Sequence, residues 1–283
     1  MGTNTTTSKA AERFAPALQA LGAGTVEYRQ TAASREVTHV LLHGIGSGSV
    51  TWSAVLDAFS QTPGLHALAW DAPGYGRSTP LDDAVPSAAD YATVLWAWLD
   101  AMQIDSRQPL MLVGHSLGAL IAAAAARQRP DRVARLLLVS PAQGYANAAA
   151  GERHSKLEQR LRNLRELGPA GIARTRSATM VSATASDAVR RAVEQTMAQI
   201  NPAGYTQAAQ MLANGDLESD LRALACPVWL ASGSADVITP PTAIRELARQ
   251  LGLPYHNLGP VGHACLVEAP AAVLDVVERF GAQ

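Results

Sequence analysis

The residues of this 283-residue chain that are best suited to chemistry are a serine, an aspartate and a histidine. Ser116 is the centre of Gly114-His-Ser-Leu-Gly118, which follows a run typical of a buried strand, Leu110–Val113, and precedes a run typical of a helix. A sharp turn between strand and helix presents a serine hydroxyl at the edge of a sheet, and glycines on either side leave room for the turn. We predict that Ser116 is the nucleophile of an acyl-transfer reaction.

A serine hydroxyl needs a base to take its proton and a carboxylate to orient that base. Asp236 lies three residues after Gly233, just past a predicted strand, and His263 follows in the next predicted loop. We predict that these two residues complete a catalytic triad with Ser116. Asp71 competes for the carboxylate role because it also follows a strand, but it opens the Pro- and Gly-rich segment 71–78, which favours a structural role.

The oxyanion formed during acyl transfer needs two backbone N–H donors. One donor is expected from Leu117, directly after the nucleophile. The second is expected from the glycine-rich loop His43-Gly-Ile-Gly-Ser-Gly48, with Ile45 as the donor and Gly46 as the alternative.

Strands that alternate with helices must position these side chains. Such alternation predicts an α/β fold with a mostly parallel central sheet and helices on both faces. The predicted strands are Thr25–Thr31, His39–His43, Leu65–Trp70, Leu110–Val113, Arg135–Val139, Val228–Ser232 and Leu253–Leu258. The predicted helices between them are Trp52–Ser60, Ala88–Met102, Leu117–Arg129, Pro241–Leu251 and Pro270–Phe280.

The alternation stops in a long helix-forming stretch, which we interpret as an inserted helical lid over residues 142–221. Leucines at three- and four-residue spacing predict one apolar helix face there, with Arg160 among the charged residues assigned to the opposite face. The α/β core is then 25–141 and 222–283. Residues 1–24 are predicted to be an N-terminal tail and a peripheral helix over Ala10–Leu21.

Large apolar side chains near the predicted site are candidates to line a substrate pocket. They are Trp52, Met180, Met197 and Met211.

The composition argues against several classes of partner. The 23 Lys and Arg residues balance the 24 Asp and Glu residues, so we expect no nucleic-acid partner. The polar start lacks a signal peptide's apolar core and no apolar run is long enough to span a bilayer, which predicts a cytoplasmic protein without a membrane contact. Cys226 and Cys265 form no metal-binding pattern, so no metal is expected. The sequence leaves open whether the chain is a monomer or a homodimer.

The chain resembles the α/β-hydrolase fold family over about residues 25 to 281. The motifs that carry this resemblance are HGIG at 43–46, DAPGYGRS at 71–78, GHSLGA at 114–119, GSAD at 233–236 and GH at 262–263. The order Ser, Asp, His agrees with that family. Within it, the chain looks most like the bacterial carboxylesterase, 3-oxoadipate enol-lactonase and meta-cleavage-product hydrolase group, which implies a helical cap and no cofactor.

The resulting expectation is a serine hydrolase that cleaves an ester or lactone of a small to medium, partly apolar substrate through an acyl-enzyme. One alternative is C–C bond hydrolysis, although the C–C hydrolases usually carry Asn before the serine and Trp after the histidine, where this chain has His115 and Ala264. The others are a cofactor-free perhydrolase or acyltransferase, and a receptor-like protein that binds a ligand without turnover.

Overall fold

The computed structural model describes residues 12–32, 36–105 and 107–282. Within them, one eight-stranded sheet has the spatial order β1-β2-β4-β3-β5-β6-β7-β8. Strands β3 to β8 are parallel to their neighbours in that range, whereas β2 is antiparallel to both β1 and β4. In chain order the strands are β1 (Ala17–Leu21), β2 (Gly24–Gln30), β3 (His39–Leu42), β4 (Ala67–Trp70), β5 (Leu110–His115), β6 (Val133–Val139), β7 (Val228–Ser232) and β8 (Tyr255–Asn257).

Helices cover both faces of this sheet. Along β5, Leu110 and Leu112 pack in one apolar cluster, whereas Met111 and Val113 pack in a second. This alternation is the two-residue period of a strand that is buried on both sides. The helices are α1 (Ser53–Ser60), α2 (Ala88–Ala101), α3 (Gly118–Gln128), α4 (Ala150–Met180), α5 (Asp187–Met197), α6 (Pro202–Asn214), α7 (Leu217–Arg222), α8 (Pro241–Leu251), α9 (Cys265–Glu268) and α10 (Pro270–Gly281). The predicted α/β fold class is confirmed.

The helix expected over Ala10–Leu21 is wrong in its C-terminal part. Residues Ala17–Leu21 form strand β1, which pairs with β2 so that Ala17 lies opposite Tyr28 and Leu21 opposite Gly24. Its residues alternate between half-buried and exposed, as an edge strand with one covered face should. The hairpin closes over Gly22 and Ala23, so pairing with β2 outweighs the local helix preference. Residues 1–11 of the predicted tail lie outside the described residues.

The inserted segment between β6 and β7 is helical. Its three longest helices, α4, α5 and α6, are called the cap below. Helix α4 is kinked at Gly168, which has φ 61° and ψ 178° and precedes Pro169. A positive φ favours glycine, and proline cannot donate the helical hydrogen bond, so this pair explains the kink.

The described residues lack two kinds of feature. No helix there has the length and apolar character needed to cross a membrane. The same residues contain no group of three or more His, Cys, Asp or Glu side chains placed to hold a metal ion.

Buried His39, at the start of β3, predicts acid sensitivity of folding. It packs edge-on against Phe59, and burial lowers its pKa from 6.5 to about 4. Between these two values the unfolded chain binds a proton that the folded chain does not. The contribution of neutral His39 to stability is therefore complete above about pH 6.5 and is lost as the pH falls toward about 4.

Urea unfolding at several pH values between about 6.5 and about 4 measures this effect. We expect the free energy of unfolding to fall less steeply with acidification in His39→Gln than in the wild type. Equal slopes in the two proteins would exclude His39 as a source of the acid sensitivity.

Candidate active site

The candidate nucleophile lies on a strained turn between β5 and α3. Ser116 has φ 52°, in the left-handed region that residues other than glycine rarely adopt. A Cβ atom at position 114 would lie 2.6 Å from the Gly118 carbonyl oxygen, and one at position 118 would lie 2.3 Å from the Leu42 carbonyl oxygen. The close approach of the backbone therefore requires both glycines, and the turn aims the Ser116 side chain away from the sheet edge.

Three side chains distant in sequence meet at this turn. The Nε2 atom of His263 lies 3.0 Å from Ser116 Oγ, and its Nδ1 atom lies 2.9 Å from Asp236 Oδ2. A carboxylate only accepts hydrogen bonds, so Nδ1 carries the proton and the unprotonated Nε2 accepts the serine hydroxyl. The loops after β5, β7 and β8 bring the three predicted residues into this chain of hydrogen bonds.

The surroundings of Asp236 keep its carboxylate ionised. Burial by itself raises the pKa of Asp236, but the hydrogen bond and charge of His263, with the backbone N–H of Thr239, lower it to about 2. Its Oδ1 atom accepts from the N–H groups of Ile238 and Thr239 at 2.8 and 3.0 Å, and the Thr239 hydroxyl donates to Oδ2 at 2.8 Å. The carboxylate is thus fixed by its own turn, and Thr239 is a contributor that sequence reasoning missed.

His115 supports the other side of His263. Its Nε2 donates to the His263 carbonyl oxygen at 2.9 Å. Burial, followed by the nearby His263 charge, lowers the pKa of His115 to about 3, so the ring stays neutral at ordinary pH. His115 therefore positions the backbone of the loop after β8 that carries His263, called the histidine loop below.

A cavity of about 230 Å³ opens above these side chains. Ser116 and His263 lie in its wall, together with residues from the glycine-rich loop, from the turn after β7 and from the cap. Its position at the carboxyl ends of parallel strands is the usual place for a ligand in an α/β sheet.

The two backbone amides expected to hold the oxyanion form no hydrogen bond among the described residues. The N–H groups of Ile45 and Leu117 donate no hydrogen bond to any residue that the structure describes, and both residues line the cavity. The Tyr75 hydroxyl donates to the Ile45 carbonyl oxygen at 2.8 Å, which fixes that peptide group. Gly46, the alternative donor, also lines the cavity. The geometry therefore leaves both predicted donors available to an oxyanion.

His43 and Asp71 hold the glycine-rich loop in place. His43 Nδ1 donates to the Gly44 carbonyl oxygen at 2.8 Å, and Nε2 accepts from Ala72 N–H at 3.0 Å. Burial lowers the pKa of His43, which agrees with its neutral pairing. Asp71 accepts from the backbone N–H and the hydroxyl of Ser49, both at 2.7 Å. The structure thus gives Asp71 a loop-supporting position and leaves Asp236 as the partner of His263.

Comparison with known proteins is consistent with this geometry. A family model described as "Serine aminopeptidase, S33" matches residues 33–259. The chain belongs to this α/β-hydrolase family. A pimeloyl-[acyl-carrier protein] methyl ester esterase of Aromatoleum aromaticum is 29% identical over 84% of this chain and 96% of its own length. An (E)-2-((N-methylformamido)methylene)succinate hydrolase of Acinetobacter baylyi is 28% identical over 75% of this chain and 76% of its own.

A solved structure gives the same fold. The enol-lactonase of Burkholderia xenovorans superimposes with a TM-score of 0.78 and 20% identity, covering 94% of this chain and all of that one. The resemblance to α/β-hydrolases that the sequence motifs indicated is confirmed.

The predicted pocket residues of this α/β-hydrolase divide into two pairs. Met180 and Met197, both from the cap, line the cavity. Trp52 and Met211 do not, and both are fully buried in the core. Trp52 packs in the apolar cluster on the face of the sheet opposite α3, and Met211, in α6 of the cap itself, packs in the cluster that contains α3. Their assignment to the pocket is therefore wrong, because residue type did not reveal which way each side chain faces.

Hydrogen bonds join the histidine loop of this hydrolase to the end of α4. Glu268 accepts hydrogen bonds from Gly262 N–H at 3.0 Å and Ser182 N–H at 3.1 Å, and it also bonds the Ser182 hydroxyl. Ala264 N–H donates to the Met180 carbonyl oxygen at 2.7 Å. Sequence reasoning missed Glu268, since nothing in its local motif marks it.

We expect Glu268→Ala to lower both stability and turnover. Removal of the carboxylate leaves the N–H groups of Gly262 and Ser182 without their acceptor, which costs about 1–3 kcal/mol, and loosens the loop that carries His263. Urea unfolding and steady-state kinetics measure the two effects. Glu166→Ala on an exposed part of α4 is the matched control, and equal kinetics in the two variants would contradict this role of Glu268.

Proposed function

We propose that this protein is a serine hydrolase that cleaves a carboxylic ester or lactone through an acyl-enzyme. Its membership of an α/β-hydrolase family supports hydrolase activity. The observation that carries the finer proposal is the continuous hydrogen-bonded chain from Ser116 Oγ through His263 to Asp236, with links of 3.0 and 2.9 Å. This arrangement suits a serine that must lose its proton as it attacks a carbonyl carbon.

The proposed reaction has two halves. His263 Nε2 takes the Ser116 proton as Oγ attacks the carbonyl, and the N–H groups of Leu117 and Ile45 stabilise the resulting oxyanion. The same histidine then gives the proton to the leaving oxygen, which produces the acyl-enzyme. A water molecule, deprotonated by His263, releases the acid, while Asp236 keeps the imidazole in the productive tautomer.

The cavity supports a small substrate. Its volume of about 230 Å³ is below the roughly 300–1,000 Å³ of pockets for drug-sized ligands. Ile172 and Met180 of α4, with Val193 and Met197 of α5, give it a largely apolar wall. Because the cap forms one side of this wall, we propose that it acts as the lid of the site.

A panel of substrates tests the proposal. It contains p-nitrophenyl esters of rising acyl length, simple lactones and a ring-fission dienone. We expect turnover of short to medium esters or of lactones, and falling kcat/KM for long acyl chains. Exclusive cleavage of the dienone would instead establish the C–C alternative, and complete inactivity on the panel would count against hydrolysis altogether.

A further inference from the structure

We propose that the substrate carries a carboxylate, and that Arg160 and Arg176 of the cap bind it while the ester or lactone carbonyl lies at Ser116. This inference rests on the proposed function and names the substrate class of the same site.

Both arginines belong to the cavity wall. Each lines the cavity that contains Ser116 and His263, and each is half-buried. Neither forms an ion pair or a hydrogen bond through its guanidinium with any residue in the described part of the chain. Three other arginines, Arg127, Arg222 and Arg249, each pair with a carboxylate at 2.5 or 2.6 Å. Arg162 and Arg174 of the same helix have no ion pair among the described residues, but both are exposed to solvent.

The described wall of the cavity contains no compensating acid. Among its residues there are two arginines but no aspartate or glutamate, and Asp236 lies behind His263 rather than in the wall. Arginine stays protonated under all ordinary conditions. A partly desolvated guanidinium without a partner is unfavourable, and a ligand carboxylate removes that cost by accepting paired N–H donors.

The kink in α4 is what lets both arginines face one cavity. They are sixteen positions apart, so in a straight helix their Cα atoms would be separated by about 24 Å. At about 3.6 residues per turn, sixteen residues also place the two side chains on nearly opposite sides of a straight helix. Gly168 and Pro169 lie between them and break the helical geometry, which changes which residues share a face.

Both arginines lie on the catalytic side of the cavity. The positive charge of Arg160 acts on Tyr75, whose hydroxyl holds the Ile45 carbonyl, so Arg160 lies toward the oxyanion loop. Arg176 is one helical turn before Met180, whose carbonyl oxygen accepts from Ala264 beside His263. Apolar residues such as Ile172 and Val193 lie in the same wall. This distribution fits an ester or lactone acid in which an apolar spacer separates the scissile carbonyl from the carboxylate.

The test compares two matched series of methyl esters. One consists of monomethyl esters of straight-chain dicarboxylic acids, which keep one carboxylate. The other consists of methyl esters of monocarboxylic acids of equal length, which are neutral. We expect the wild type to prefer the charged series, with an optimum at one chain length.

The variants separate charge recognition from catalysis. We expect Arg160→Gln and Arg176→Gln each to lower kcat/KM for the preferred charged ester by about 10- to 100-fold, which is the effect of losing one charge-assisted hydrogen bond. The kcat/KM of each variant for the neutral ester of equal length should change by less than about 3-fold. Arg162→Gln and Arg174→Gln are matched controls, because both side chains are exposed on the same helix. No preference for the charged series in the wild type, or equal losses on both series in the variants, would overturn the proposal.

Binding measurements distinguish failure of the arginine proposal from failure of the hydrolase proposal. Isothermal calorimetry measures binding of the dicarboxylate whose chain length matches the preferred ester. If no ester is turned over, the dicarboxylates of all chain lengths in the series are measured. Dicarboxylate binding that is lost in the Arg160→Gln, Arg176→Gln double variant, without turnover of any ester or lactone by the wild type, would support the arginine proposal and refute the hydrolase proposal. Absence of dicarboxylate binding in the wild type would overturn the arginine proposal.

Discussion

Replacement of Ser116 by alanine is expected to lower kcat by about four to six orders of magnitude on any ester or lactone that the wild type cleaves. The reason is that the substitution removes the atom that forms the acyl-enzyme, while the oxyanion donors and the cavity remain. Ser116 is buried and its side chain bonds only to His263 among the described residues, so the fold should tolerate the change.

Kinetics and unfolding together check this prediction. The urea midpoint of Ser116→Ala should match that of the wild type. Ser47→Ala is a useful control, because Ser47 also lines the cavity but its hydroxyl bonds only within the glycine-rich loop. Esterase activity of Ser116→Ala close to that of the wild type would show that another group is the nucleophile.

The second large effect is expected from Asp236→Asn, which should lower kcat by about three to four orders of magnitude. The oxygen of the new amide is expected to keep the Oδ1 position, because the N–H groups of Ile238 and Thr239 both donate there. The amide nitrogen then faces His263 Nδ1, which must accept instead of donate. Nε2 consequently carries the proton and cannot take the one on Ser116.

The fold should survive this substitution. An intact fold would show that the loss of kcat does not result from unfolding. Circular dichroism and urea unfolding would establish this, and the change in kcat would report the tautomer. Asp71→Asn is the contrasting variant, since Asp71 bonds to Ser49 in the loop and makes no contact with His263. A smaller loss of kcat in Asp236→Asn than in Asp71→Asn would contradict the assignment of the carboxylate.

Strands β2 to β8 and the convergence of Ser116, Asp236 and His263 could be predicted from the sequence because their signals are local. Buried parallel strands are short continuous apolar runs, and the turn at Ser116 needs glycines at fixed positions that are visible in the chain. The loops that carry Asp236 and His263 follow such strands directly. The carboxyl ends of parallel strands meet at one edge of the sheet, so their convergence followed from the topology.

The features that sequence reasoning missed depend on tertiary contacts. Strand β1 forms because β2 offers an edge, which the segment itself does not reveal. The direction in which Trp52 and Met211 face is likewise set by packing. The spacing of leucines and charged residues predicts that Arg160 lies on the charged outer face of a straight helix, whereas the structure places it in the cavity wall. The Gly168-Pro169 pair was the available signal, since it predicts a break that changes which residues share a face.

Covalent trapping identifies the nucleophile of this protein. Incubation with phenylmethylsulfonyl fluoride, followed by intact-mass analysis and peptide mapping, locates the reactive hydroxyl. We predict one adduct, on Ser116, in the wild type, and its near absence in His263→Ala, where the base is missing. Labelling of a different residue, or equal labelling rates in the two proteins, would contradict the assignment of Ser116 as a nucleophile activated by His263.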